Sequence, residues 1–183
     1  MPLVSDEVID LFNQFGDLTY GENVTQREHA LQCAYLARES DAPDSLILAA
    51  LLHDIGHLLA GTDYKAAHLE DDRHEWLGDR WIQQHYGPEV SEPVRLHVDA
   101  KRYICSKEPE YLDFLSEASR ISLELQGGPM SEAETLEFEQ NPWFQDAVRL
   151  RRWDDEGKQD VVVPTLESYV NLINGMSTIQ KTP

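Results

Sequence analysis

Ala49-Ala50-Leu51-Leu52-His53-Asp54-Ile55-Gly56-His57 is the stretch on which the reading of this chain turns. An apolar run delivers a histidine and an aspartate side by side, with a second histidine four residues after the first. On a helix, residues four apart share a face, so His53 and His57 are expected to point the same way, with Asp54 one step round. Neutral imidazole suits iron, zinc and manganese, and a carboxylate completes a hard or borderline metal site. The rest of the chain can then be read for partners to this pair.

Around it the periodicity is helical almost throughout, and the fold class expected is all-α, a helical bundle. Val8, Ile9, Leu11, Phe12 and Phe15 mark a first helix with Ser5 as its cap and Gly16 at its end. Thr25 and Glu28 have capping-box spacing for a second helix running to about Ser40 and carrying His29. Pro43 suits the first turn of a central helix from Ser45 to about Leu59, apolar nearly all round and therefore buried. Residues 61–72 read as a loop. Further helices are expected over His74–Gln84, Glu92–Cys105, Glu110–Leu125, Ser131–Glu139, Trp143–Trp153 and Pro164–Gly175, with Gln126-Gly127-Gly128-Pro129 as a strong breaker. Asp160-Val161-Val162-Val163 is β-like but short, and His85 reads as a surface residue at a helix end.

Size and charge narrow the function. At 183 residues the chain is expected to form one domain, 1–183, with enough apolar content to bury a core. The 15 basic and 34 acidic residues give a formal charge of −19, a surface that repels phosphate backbones. Nucleic acid and anionic membranes are poor partners for it. Cys33 and Cys105 are too few for a disulfide framework and read as buried small hydrophobes. Neither a signal peptide nor a membrane span is visible, so a cytoplasmic location is expected.

One imidazole from each of several helices is how bundles build metal sites. His29, His53 with Asp54, His74, His97 and Asp154 are the candidates, in that order along the chain. His68 rivals His74 but sits in the loop-like stretch. This order, H…HD…H…H…D, resembles the HD-domain superfamily, whose core His, His-Asp pair and final Asp match His29, His53, Asp54 and Asp154. The resemblance covers about residues 26–158. It implies a buried dinuclear site in which His74 and His97 supply the extra ligands and Asp54 bridges.

Closer matches follow in Gln26-x-Glu28-His29-Ala30-Leu31-Gln32-Cys33-Ala34-Tyr35 and in His97-Val98-x-Ala100-Lys101-Arg102-Tyr103. Others are Leu115-Ser116-x-Ala118-Ser119-Arg120, Gln126 to Met130, and Arg151-x-Trp153-Asp154-x-x-Gly157-Lys158. Together they resemble the phosphonate-cleaving HD oxygenases, which act on 1-hydroxy-2-aminoethylphosphonate or its trimethylammonio counterpart. That resemblance implies two irons, mixed-valent Fe(II)/Fe(III), with O2 as co-substrate. Its products would be phosphate with glycine, or phosphate with glycine betaine from (R)-1-hydroxy-2-(trimethylammonio)ethylphosphonate. Lys101, one turn after His97, and Arg151, three residues before Asp154, share faces with proposed ligands and could hold a phosphonate dianion. Ser119 and His57 could add donors, and Tyr20 and Glu22 a loop for the cationic head. His53, Asp54 and Lys101 would be the catalytic set. The rivals are a metal-dependent phosphohydrolase on the same ligands, a metabolite-binding regulatory module, and a carbon–carbon-cleaving di-iron oxygenase.

Overall fold

The computed structural model describes residues 3–19, 23–61, 72–159 and 161–178, and the side chains of all of these except 72–75. Ten α-helices and two short 3₁₀ turns account for most of the described residues, and none of these lies in a strand. The helices are α1 Val4–Phe15, α2 Gln26–Glu39, α3 Asp44–Leu52, α4 Ile55–Ala60 and α5 Asp72–His85. After them come α6 Pro88–Lys107, α7 Glu117–Leu125, α8 Glu132–Glu139, α9 Phe144–Glu156 and α10 Val170–Met176.

α3 is the axis. Every residue from Leu46 to Leu52 is buried, because α2, α6, α9 and α10 all pack against it. A helix this apolar on all sides is stable only as the centre of a bundle. Its first turn is preceded by Pro43, whose backbone is extended, so Pro43 caps the helix instead of standing in its first turn. α2 begins as its sequence dictates: Thr25 Oγ1 accepts from the Glu28 amide, and Glu28 reaches back to the Thr25 amide at 2.8 Å.

Several boundaries differ from the sequence reading, each for a local reason. The central helix is not continuous over 45–59. It ends at Leu52 and restarts at Ile55, with Asp54 at φ −100°, ψ 13° and its carbonyl accepting from the His57 amide at 2.9 Å. His53 and His57 therefore belong to different helices. Ser5 does not cap α1; it is buried inside the first turn, where its amide donates to Asn174 Oδ1 and its hydroxyl accepts from Asn174 Nδ2. The expected helix over 110–125 splits into a 3₁₀ turn, Pro109–Asp113, and α7, because Ser116 is extended and caps α7 through the Ser119 amide. α6 starts at Pro88, not Glu92, and carries Pro93 in its second turn at the cost of one backbone bond. Residues 161–163 form no strand. His85 is not a surface residue: it stacks on Trp81 with ring centroids 4.1 Å apart and faces Glu7.

Two close approaches position the site. A Cβ on Gly78 of α5 would lie 3.1 Å from the Gly56 nitrogen and 3.3 Å from its Cα, so glycine lets α5 lie directly on α4. A Cβ on Gly157, just past α9, would meet Cys33 Sγ at 2.6 Å and the Trp153 carbonyl at 2.9 Å. That glycine lets the end of α9 reach α2. No helix among the described residues is long and apolar enough to cross a membrane.

Candidate metal centre

His29 from α2, His53 and Asp54 from the break after α3, His97 from α6 and Asp154 from α9 converge at the centre of the bundle. His29 Nε2 lies 3.2 Å from His53 Nε2, 3.3 Å from Asp154 Oδ1 and 3.7 Å from Asp54 Oδ2. His53 Nε2 lies 3.6 Å from Asp54 Oδ2 and 3.8 Å from Asp154 Oδ1. The His97 ring meets the His53 ring edge-on, with centroids 5.5 Å apart. His29, His53, His97 and Asp154 are all buried.

The break between α3 and α4 explains how two adjacent residues both reach this point. In an unbroken helix neighbours diverge by about 100°. The turn at Asp54 redirects the chain, and Asp54 swings into the same space as His53 while α4 carries His57 alongside. His57 Nε2 then lies 3.9 Å from Asp54 Oδ1, on the far side of the carboxylate from the imidazole pair.

The histidine tautomers are set by the backbone. His29 Nδ1 is 2.8 Å from the Gly157 carbonyl, His53 Nδ1 2.9 Å from that of Ala50, and His97 Nδ1 2.5 Å from that of Val94. A carbonyl only accepts, so each Nδ1 carries a proton, and in the neutral imidazole each Nε2 keeps its lone pair. This is the outer-shell pattern of metal-ligating histidines. Two such lone pairs 3.2 Å apart repel unless a positive centre lies with them.

The electrostatics agree. Burial opposes charge on His53, but Asp54 and then Asp154 outweigh it and hold its pKa up at about 9. Burial likewise opposes charge on His29, yet Cys33 and Asp154 push it well above the usual histidine range. The carboxylates move the other way. Against burial, His53 and His57 depress Asp54, and Arg151, His29 and His53 depress Asp154. His97, pushed down to about 4 by burial and by His53, stays a neutral imidazole. The cavity thus favours ionised carboxylates around positive charge, which a divalent or trivalent metal would supply. An imidazole and carboxylate donor set of this kind fits iron.

Two expected ligand or substrate positions cannot be placed. His74 lies on α5 one turn before Gly78, but its side chain lies outside the described residues, as do Tyr20 and Glu22 and the rival His68. The remaining candidates sit beside the ligands. Lys101, only 2 % exposed, donates to Ser122 Oγ at 2.6 Å. Ser119 Oγ accepts from Lys158 Nζ at 3.3 Å and lies 3.5 Å from Arg151 Nη2. Three cations therefore gather on two serines of α7, within a chain that is strongly acidic overall. Arg151 Nη1 holds Asp154 Oδ2 at 2.8 Å, while its Nε and Nη2 grip the carboxylate of Asp155.

Four contributors were given no role at the site from sequence. Cys33, one turn after His29, has Sγ 3.8 Å from that ring and close enough to His29 and His53 to complete a buried His-Cys-His group. Its thiol donates to the Trp153 carbonyl at 3.4 Å. Gly157 supplies the acceptor for His29, Lys158 a third cation, and Asp155 the grip on Arg151. The spacing of Arg151 and Asp155, four apart on one helix, was the available signal for the last.

The sequence matches the HD domain family over residues 27–142. The chain belongs to the HD-domain family. It is 48 % identical over 165 residues to a hydroxymethylphosphonate dioxygenase of Gimesia maris, covering 88 % of this chain and 82 % of that one. It is 40 % identical over 169 residues to a glycine-betaine-forming [1-hydroxy-2-(trimethylamino)ethyl]phosphonate dioxygenase of Leisingera caerulea, covering 91 % and 86 %. An uncharacterized mimivirus protein is 40 % identical over 171 residues, 91 % of this chain and 78 % of that one. The expected kinship with phosphonate-cleaving HD oxygenases is borne out, and it supports an oxygenase.

Proposed function

We propose that this HD protein is a di-iron dioxygenase that cleaves the C–P bond of a 1-hydroxyphosphonate, releasing phosphate and a carboxylate. The observation that carries this reading is the pairing of a buried imidazole–carboxylate centre with three cations, Lys101, Arg151 and Lys158, gathered beside it on Ser119 and Ser122. The two named relatives act on substrates that share a hydroxyl and a phosphonate on one carbon. The reaction balances with dioxygen alone: the carbon gains one oxygen on becoming a carboxylate, and phosphorus gains the other on becoming phosphate.

His29, His53, Asp54, His97 and Asp154, with His74, would hold the two irons. When bound, a mixed-valent Fe(II)/Fe(III) pair supplies the one-electron chemistry that activates dioxygen. The chain's own residues do the rest. Lys101, the Ser119 hydroxyl and His57 would bind phosphonate oxygens, and Arg151 would add positive charge from behind Asp154. The buried position of Lys101, Ser119 and Arg151 strengthens each of their contacts by removing competing water. Carbonyls of Ala50, Val94 and Gly157 hold the Nδ1 protons, so the imidazoles keep one orientation through turnover.

Two substituents on the carbinol carbon have separate support. The trimethylammonio head suits the Tyr20 and Glu22 loop expected from sequence, and the Leisingera caerulea relative acts on that compound. A bare hydrogen, as in hydroxymethylphosphonate, has the support of the 48 % identity to the Gimesia maris enzyme. The test is phosphate release from iron-loaded protein, with and without dioxygen, on both compounds and on the primary amine. The reading requires aerobic release from at least one of the three, and kcat/KM then ranks the substituents. Release from a phosphate ester without dioxygen, with none from any phosphonate, would return the site to a hydrolase.

A further inference from the structure

Arg151 sits between two carboxylates, and they do different things. Asp154 turns one oxygen to the imidazoles, with Oδ1 3.3 Å from His29 Nε2, and the other to Arg151, with Oδ2 2.8 Å from Nη1. Asp155 takes the remaining edge of the guanidinium: Arg151 Nε donates to Oδ2 at 2.9 Å and Nη2 donates to Oδ1. A third group completes the chain. Tyr111, in the 3₁₀ turn after α6, donates its hydroxyl to Asp155 Oδ2. All four side chains are largely shielded from water: those of Arg151, Asp154 and Asp155 are 5 %, 9 % and 8 % exposed, and Tyr111 as a residue is 7 % exposed.

We infer that Tyr111 and Asp155 are positioning residues for the metal centre, acting through Arg151 on Asp154. A guanidinium has two edges that match a carboxylate, Nε with one Nη nitrogen and the two Nη nitrogens together. Here the first edge is committed to Asp155, and Nη2, the nitrogen both edges share, also faces Ser119 Oγ at 3.5 Å, so Arg151 offers Asp154 only Nη1. This fixes which Asp154 oxygen is engaged by Arg151 and leaves the other turned to the imidazoles. Without Asp155, Nη2 is released, and the Nη1/Nη2 edge of Arg151 can compete for both Asp154 oxygens. Tyr111 sets the arrangement from the opposite side, because its hydroxyl and Arg151 Nε donate to the same oxygen of Asp155. A second tie, Arg152 Nη2 to Glu108 Oε1 at 2.6 Å, anchors the start of the same 3₁₀ turn to α9. The turn is thus held against the helix that carries Asp154.

The inference rests on the proposed metal centre but not on the substrate, so its test uses the metal alone. Fe(II) would be titrated anaerobically into metal-free wild-type protein, D155N and Y111F, with affinity read by calorimetry and the bound iron by Mössbauer spectroscopy. Loss of an outer partner of a metal ligand typically weakens binding ~10- to 100-fold. D155N is expected to fall in that range. Y111F, which keeps its ring packing, is expected to fall by less than ~10-fold and to shift the iron signature in the same direction. If D155N fails to fold, Y111F decides alone. Affinities and spectra for Y111F indistinguishable from wild type would overturn the relay. Weakened metal binding in protein that cleaves no phosphonate would leave the relay standing and refute the proposed activity instead.

Discussion

Replacing Gly157 with alanine should damage both the packing and the metal centre. Gly157 has φ −75° and ψ 38°, so alanine meets no barrier from left-handed backbone. The penalty is steric. The new methyl would lie 2.6 Å from Cys33 Sγ, 2.9 Å from the Trp153 carbonyl oxygen and 3.3 Å from the Cys33 amide nitrogen. Cys33 and Trp153 are buried, and two of the three contacts are backbone atoms that cannot rotate away. Overpacking of this kind costs about 1–3 kcal/mol, offset by about 0.4–1 kcal/mol from the stiffer unfolded chain. For a chain of this size the net loss corresponds to a Tm lower by up to about 10 °C.

The second consequence is local. The chain must shift at the residue whose carbonyl holds His29 Nδ1 at 2.8 Å, so iron affinity should fall ~10-fold or more. The assays are thermal unfolding of the metal-free protein and anaerobic iron titration. The double variant C33A/G157A removes the shortest contact and leaves the other two, so it should recover part of the Tm loss. A G157A protein that melts within about 1 °C of wild type and binds iron equally well would refute this reasoning. Strict additivity in the double variant would refute the contact as its cause.

D54N should abolish iron retention, measured as iron per chain after gel filtration, because Asp54 faces both His29 and His53. K101Q should leave iron content unchanged and raise KM for the phosphonate; loss of a charged hydrogen bond of about 1.5–3 kcal/mol corresponds to ~10- to 150-fold. Iron loss in K101Q would reassign the lysine to the metal centre. G78A should lower Tm despite alanine's better helix propensity, since its methyl would press on the Gly56 backbone at 3.1 and 3.3 Å. Glu134 is held down at about 2, first by the Ser131 amide and then by Arg102. A depressed carboxylate stabilises the fold above its unfolded value of 4.5, and the effect is lost as pH falls toward about 2. E134Q should therefore flatten the acid limb of the urea stability curve in that window.

The convergence of five candidates was legible because they fall in the order H…HD…H…D on helices that must share one core. His29, His53, Asp54, His97 and Asp154 meet where that logic puts them. The break at Asp54 was not legible. Leu58 and Leu59 continue the apolar pattern across it, no proline marks the change of direction, and the nearby glycine, Gly56, lies past the break and inside α4. Helical spacing correctly put Arg151 beside Asp154, but spacing gives proximity without saying how a fork is shared. Asp155, one residue further on, takes the Nε/Nη2 edge of Arg151. His85 was misjudged because its partners, Trp81 and Glu7, come from its own helix and from α1, far away in sequence.

The most direct test of the proposed activity is the stoichiometry of dioxygen uptake against phosphate and carboxylate formed by the iron-loaded protein. With hydroxymethylphosphonate or its trimethylammonio-substituted homologue, the three should stand in a one-to-one-to-one ratio, and removing oxygen should stop phosphate release. Phosphate formed without oxygen uptake, or oxygen consumed without phosphate, would contradict it.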